Sequence, residues 1–471
     1  MFFDETGSAT LRVAPGHYHI MGFVVGGNFD TFSMVGDPET RVSGDTSFTL
    51  DARRAEPVRA RIRGVDTDAN SADLGYTRLD DGGNYGLAMS WGVGGATAEN
   101  GLFAEPTDPV RVGQFEVELR IRLLPAGSTS SATASTLYDL VLFGGRVPDP
   151  PTWVVDGTGE LARITARYRS LNDNAEYSDV RVGFAPLQFF SGGGYESIAV
   201  PRTRIEYVSA APVFWFHDAS WYRGEAFIDF LGPWADPYQP GQQLEERWFW
   251  APLHAYGYGD RGASSMFVGT ADLRDTGDHN GYPWSWSDDP AFAQAFRLYR
   301  NGQLIGRAAD PFLQVSVPAT RAQYRLERDL NLTGVTGLAN VSRTRWWFNS
   351  ASPGGQDPYA MLPILDVEYQ AAPLGGRNGA VAGRPVTIDL QLARQEGAPP
   401  SEIAAATLQL STNDGATWKE IPLERVEAGH YRGVLPGSRL HAGTWVSLRT
   451  TGRDVTNSRV AQALIRAFPV R

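Results

Sequence analysis

The sequence predicts an all-β protein made of several antiparallel β-sandwich modules in tandem, the last of them immunoglobulin- or fibronectin-III-like. Three observations carry this. Helical periodicity is nearly absent along the chain. Short runs of alternating apolar and polar residues recur, closed every 8–12 residues or so by Gly, Pro, Asn or Asp, the spacing of sandwich strands. The composition, 52 Gly and 30 Pro with 11% aromatic residues, is that of a turn-rich β-protein.

The elements follow in order. Residues 1–64 alternate through LRVAP, GHYHI and SFTLDARRAEPV, and read as a small or partial sandwich with Pro15-Gly16 as its turn. The polar, acidic, Gly-rich stretch 65–84 marks the best early boundary, inside a module spanning 65–207 whose strands include FEVELRIRLL, LYDLVLFGG, LARITARYRSL and RTRIEYVSA. Residues 208–372 form an aromatic-rich β-domain, in which AFAQAFRLYR followed by Asn301-Gly302 favours a hairpin over a helix. PLGGRNGAVAGRP, 373–385, reads as a linker into a last module, 386–471. That module holds the strongest local signal in the chain: LQLSTNDGATWKEIPL, two alternating runs around Asn413-Asp414-Gly415, is a hairpin.

Composition excludes several function classes. At 471 residues the chain is too long for one small core. The net charge of −11 argues against nucleic acid and against anionic membrane surfaces as partners. No apolar stretch reaches the length of a membrane helix. With no cysteine there is no disulfide, thiolate-zinc site or thiol nucleophile. The start, MFFDETGSATLRVAPGHYHIMGFVV, lacks the regions of a signal peptide and leads straight into a strand. The expectation is a chain that begins mid-protein, with residues 1–13 pairing with another polypeptide or frayed.

Two loops concentrate oxygen donors. Asp275, Asp278 and Asn280 lie in DTGDHNG and suit calcium, which takes 6–8 oxygens from such loops. Asp66, Asp68, Asn70 and Asp73 begin like a calcium loop but lack its glycine and final glutamate. Solvated turns are the simpler reading of both. His17 and His19 share a strand face without a third ligand nearby, so zinc is not implied.

The aromatic segment is the candidate binding surface. Trp215, Trp221, Trp234, Trp248, Trp250, Trp284 and Trp286 fall within about seventy residues, over half of the chain's 13 tryptophans. A packed core is the first reading, since each ring buries about 150–250 Å². The second makes Trp215, Trp221, Trp248, Trp250, Trp284 and Trp286 a platform on which sugar rings stack. The period-2 spacing of Trp248/Trp250 and of Trp284/Trp286 puts each pair on one strand face and suits either. Carboxylates nearby (Glu225, Asp229, Asp236, Glu245, Glu246, Asp288 and Asp289) are plentiful, but glycoside hydrolysis needs two at a set separation, which spacing does not give.

Taken together, PGHYHIMG, YDLVLFGGRVPDPPTW, LARITARYRSL, YQPGQQLEERWFWAPL, LYRNGQLIG, YRLERDL, STNDGATW and GTWVSLRTTGRDVTNSRVAQALIRAF resemble the long C-terminal region that follows the catalytic domain in large secreted subtilisin-like serine peptidases of actinobacteria. The resemblance runs in consistent order over nearly the whole chain. It implies an extracellular, non-catalytic accessory region that assists folding, stability or substrate holding, with a peptidase domain as partner; the residues themselves suggest no cofactor beyond calcium. Asp275-Thr276-Gly277 matches the family's Asp motif, but the His-Gly-Thr and Gly-Thr-Ser-Met-Ala motifs that complete a triad are missing. The alternative is an extracellular carbohydrate- or cell-wall-binding protein that uses residues 215–286.

Overall fold

The computed structural model describes residues 7–171, 175–188, 196–224, 226–232, 237–285, 293–354 and 358–471. Among these the protein is all-β, with multiple antiparallel sheets and no helix longer than a three-residue 3-10 turn. No helix is long and apolar enough to cross a membrane.

The predicted hairpins form where turn chemistry dictates. Asn301-Gly302, with φ of 50° and 84°, joins Ala293–Arg300 to Gln303–Ala308. In the C-terminal hairpin Leu408 pairs with Ile421 and Leu410 with Lys419. There Asn413 Oδ1 accepts from the Thr417 N–H, and Asp414 and Gly415 take positive φ. The first turn differs from expectation. The strand Gly16–Gly26 starts at the Pro15-Gly16 pair, and the reversal into Thr31–Val42 comes at 27–30. Residues 7–15 form no strand.

Residues 65–84 are not a boundary. Thr67–Leu79 is an inner strand of a seven-stranded sheet, flanked by Tyr85–Gly94 and Gln114–Pro125. Its polar composition belongs to one face, where Asp73 meets Arg120, while Leu74 and Tyr76 lie fully buried on the other. Asp68 accepts from the Gly127 N–H, and Asp68, Asn70 and Asp73 lie within the strand Thr67–Leu79 rather than in a calcium loop.

The modules also interlock rather than follow one another. One core gathers Phe32, Met34, Leu74, Tyr76 and Val117, merging the first two predicted modules. A second is continuous from Val141 to Val470. The eight-stranded sheet pairs Val341–Ser350 with Arg459–Pro469, so the third and last predicted modules share a sheet. Residues 373–385 therefore do not act as a free linker. Asn378 and Ala380 are fully buried, and Ala380 and Ala382 exchange backbone hydrogen bonds with Pro469 and Arg471. The C-terminal strands form two layers: Leu365–Ala372, Val386–Arg394, His430–Leu435 and Leu423–Glu427 in one, and the end of the eight-stranded sheet in the other.

The layers that frame the site are the seven-stranded sheet and a five-stranded sheet. The first continues from Gln114–Pro125 through Thr136–Gly144, Arg202–Ser209 and Leu161–Tyr168 to Gln243–Trp248. Two of these pairings are parallel. The second runs Glu196–Ser197, Glu176–Phe184, Phe214–Arg223, Ala226–Leu231, Asn280–Ser285.

Candidate functional site

The inward faces of these two sheets carry charges where alternation would put apolar residues. Arg204 and Glu206 alternate along one strand, Asp179 and Arg181 along another, both inside the fold. Their burial is tolerated because each finds its opposite. Arg204 lies 2.7 Å from Asp179 and 2.7 Å from Glu206. Arg181 bridges Glu206 at 2.7 Å and Glu246 at 2.9 Å. Tyr168 donates its hydroxyl to Glu206, and Trp248 donates Nε1–H to Glu246. Further along, Arg122 holds Asp139 at 2.6 Å and approaches Glu196 at 3.2 Å.

The network sets its own protonation. Burial pushes Glu206 up, but Arg204 and Arg181 more than reverse it and hold it at about 2. Burial likewise opposes ionisation of Glu246, and Arg181 and His217 overcome it, leaving Glu246 well below the carboxylate range. Burial and Arg181 together lower His217, whose Nδ1 lies 2.9 Å from Glu246. Glu206, His217 and Glu246 bring ligand atoms within 4.8 Å of one another. Their oxygens are already claimed by two guanidiniums, which is the arrangement of an ion-pair network rather than of a metal centre.

Two cavities open onto this layer. The larger, about 740 Å³, is lined by Asn70, Asp73, Arg120, Arg122, Asp139 and Glu196 among others. The smaller, about 300 Å³, is lined by His217, Tyr238, Glu246, Trp248 and His279. Arg181 and Trp215 line both. Gly183 borders the larger one where a Cβ would stand 2.5 Å from Val141 and 2.8 Å from the Trp215 ring, so only glycine keeps the two sheets this close.

The tryptophan platform is corrected. Trp215, Trp221 and Trp248 are 2%, 0% and 1% exposed, and so are core. Trp215, Ala219 and Trp221 share the inner face of Phe214–Arg223, as period 2 requires. Trp248 and Trp250 do not share a face. The strand ends at Trp248, Phe249 takes φ 62°, and Trp250 turns outward, half-buried, with Nε1 donating to the Arg167 carbonyl. Trp284 has its backbone in Asn280–Ser285; its side chain, and all of Trp234 and Trp286, lie outside the described residues.

The calcium loop is corrected as well. Asp275 is fully buried, and its two oxygens accept from the backbone N–H groups of Phe249, Gly277 and His279 and lie 3.0 Å from His279 Nδ1. Donors fill the positions a cation would take. Asp278 is exposed and pairs with Arg274, which also donates to Asn280. The aspartate is thus a turn organiser that fixes His279 flat against Trp248, with ring centroids 3.4 Å apart.

Of the nearby carboxylates, Glu246 joins the network, Asp229 accepts from Ser220, and Glu245 is surface-exposed; Glu225, Asp236, Asp288 and Asp289 lie outside the described residues. Sequence reasoning missed Arg122, Arg181, Arg204, Asp139, Asp179 and Glu206. The available signal was charged residues at alternating positions within otherwise apolar strands, as in RTRIEYVS and EYSDVRVGF.

No family model matches this chain, and no curated protein does. Among solved structures, it aligns with a polysaccharide lyase at 11% identity and a TM-score of 0.16. That alignment covers 62% of this chain and 40% of the lyase, and likeness this slight carries no argument about fold or activity.

Proposed function

We propose that this chain is a non-catalytic recognition protein that holds a carbohydrate in the cavity between the seven- and five-stranded sheets. The observation that carries this reading is the lining of the 740 Å³ cavity, where planar amide, carboxylate and guanidinium groups (Asn70, Asp73, Arg122, Asp139, Glu196) stand side by side around the Trp215 wall. Such groups match the paired hydroxyls of a sugar, and a cavity of this size takes a ligand of a few rings. Recognition rather than turnover is favoured because the lining acids Asp73, Asp139 and Glu196 are each held by an arginine and none stands ready as a free base.

Gly94 lines the same cavity with open space beside it. A Gly94→Phe variant adds a ring at the cavity wall without removing any ion pair. Retention of the protein on insoluble polysaccharides is expected to fall in this variant while its melting temperature holds. A native chain retained on none of them, neutral or acidic, removes the reading.

Association with a subtilisin-like peptidase, and with it an extracellular setting, rests on the sequence motifs alone. A subtilisin-type coding region in frame with this one or beside it supports that association, and its absence from genomes carrying this chain counts against it.

A further inference from the structure

Beside the smaller cavity lies a cluster of arginines that the ion-pair network does not neutralise. Arg169, just past the strand Leu161–Tyr168, is 8% exposed, yet no carboxylate pairs with it among the described residues. Its guanidinium donates only to neutral acceptors, the Leu374 carbonyl at 2.7 Å and Asn378 Oδ1 at 3.4 Å. It lies over the Trp250 ring, 3.4 Å from the centroid, and Arg247 approaches the same ring at 5.1 Å. Burial and the neighbouring Arg247 lower Arg169 to about 10, the mark of a cation short of negative charge. Arg167 and Arg247 flank the cluster, each about two-fifths exposed, and share one carboxylate, Glu245, at 3.3 Å and 3.0 Å. Three cations thus face one acid, in a protein whose net charge is −11.

Among the other buried arginines, Arg122, Arg181, Arg204 and Arg328 each meet at least one carboxylate within 2.7 Å, whereas Arg261, like Arg169, donates to neutral acceptors among the described residues. A desolvated guanidinium without a counter-ion is costly. At this place the fold leaves that charge open, next to exposed arginines and at the rim of a cavity that Glu245 and Arg247 line.

We propose that Arg169, Arg247 and the outward edge of Trp250 form an anion subsite that binds the carboxylate or sulfate of an acidic saccharide, with Arg167 completing the charge. None of these residues lines the 740 Å³ cavity, so the inference goes beyond the carbohydrate reading by naming a second subsite and its ligand class, and it rests on that reading. Guanidiniums take carboxylate and sulfate through paired N–H groups. The indole edge offers apolar contact to the ring that carries the anion. Glu245 is then the resident competitor that an incoming anion displaces from Arg247.

Affinity electrophoresis through gels containing polygalacturonate, dextran sulfate or neutral dextran tests this. The native chain is expected to be retarded by an anionic polymer and not by dextran, with retardation falling as salt is added. Which anionic polymer acts tells a uronate subsite from a sulfate one. Arg247→Ala removes an exposed side chain and is expected to weaken retardation roughly tenfold, the loss of one charge-assisted contact. Glu245→Gln, which releases Arg167 and Arg247, is expected to strengthen it, a gain that a misfolded variant does not give. Retardation by dextran equal to that by the anionic polymers leaves carbohydrate binding standing and overturns the anion subsite. Anionic retardation that neither variant changes also overturns it. No retardation in any gel overturns the anion subsite and leaves the carbohydrate reading to the retention measurement on insoluble polysaccharides.

Discussion

Asp366 shows how far a single buried group can set the behaviour of this protein. It lies in the core with Oδ1 accepting from the Gly257 N–H and from Trp346 Nε1, while Oδ2 has no hydrogen-bond partner among the described residues. Burial pushes its carboxyl up to about 7. The unfolded chain releases this proton near pH 4. Between these values the folded state holds more protons than the unfolded one. The group's contribution to stability is therefore full at low pH and is lost as pH rises through about 7. Asp366→Asn keeps the Oδ1 acceptor and cannot ionise. It is expected to flatten the fall in melting temperature between about pH 4 and 7, and to gain about 1–3 kcal/mol at the upper end. Thermal unfolding across that range checks this, and an unchanged slope places the titration elsewhere. Glu206 has the opposite sign: held at about 2, it contributes stability above its unfolded value that is lost as pH falls towards 2.

At the scale of elements, the segment 373–385 separates what local signals say from what they leave out. Its glycines and prolines describe the turns correctly. They are silent on Asn378, which adopts φ 53° and is fully buried. Its amide donates to the carbonyls of Phe249 and Ser170 and accepts from the Ala251 N–H. One side chain so ties its own segment to two stretches that each lie more than a hundred residues away. Asn378→Ala leaves those buried backbone groups unsatisfied and is expected to cost about 2–4 kcal/mol in denaturant unfolding. A cost under about 0.5 kcal/mol shows that the contacts are replaceable. The strand Thr67–Leu79 teaches the same lesson from the other side. Its acidic half looked like a boundary because an inward face satisfied by ion pairs has the composition of a loop.

For the molecule as a whole, the shared sheet decides what can be cut. If residues 386–471 were a separate module on a linker, a chain ending at 372 would fold unchanged. In the structure that cut strips Arg459–Pro469 from Val341–Ser350 and exposes a ten-residue edge strand in the middle of the eight-stranded sheet. The chain 1–372 is expected to aggregate, or to lose protease resistance over 293–350 (limited proteolysis and size-exclusion chromatography report this). A monodisperse, protease-resistant product would restore the modular view.

What the sequence determined by itself is local. The all-β class, the hairpins at Asn301-Gly302 and Asn413-Asp414-Gly415 and the turn positions all rest on period-2 alternation and on residues that tolerate positive φ, properties of a few neighbouring residues. Tertiary structure alone decided which charges meet. Arg204 and Asp179, Arg181 and Glu246, and Asp366 and Trp346 come from different strands, and Arg169 stands without a carboxylate only because of what surrounds it. The same holds for the tryptophans. Alternation gave Trp248 and Trp250 one face, and the positive φ of Phe249, held by its N–H bond to Asp275, sent one into the core and the other to the surface. Long-range pairing of this kind depends on how strands are ordered across a sheet, and no short window of sequence encodes that order.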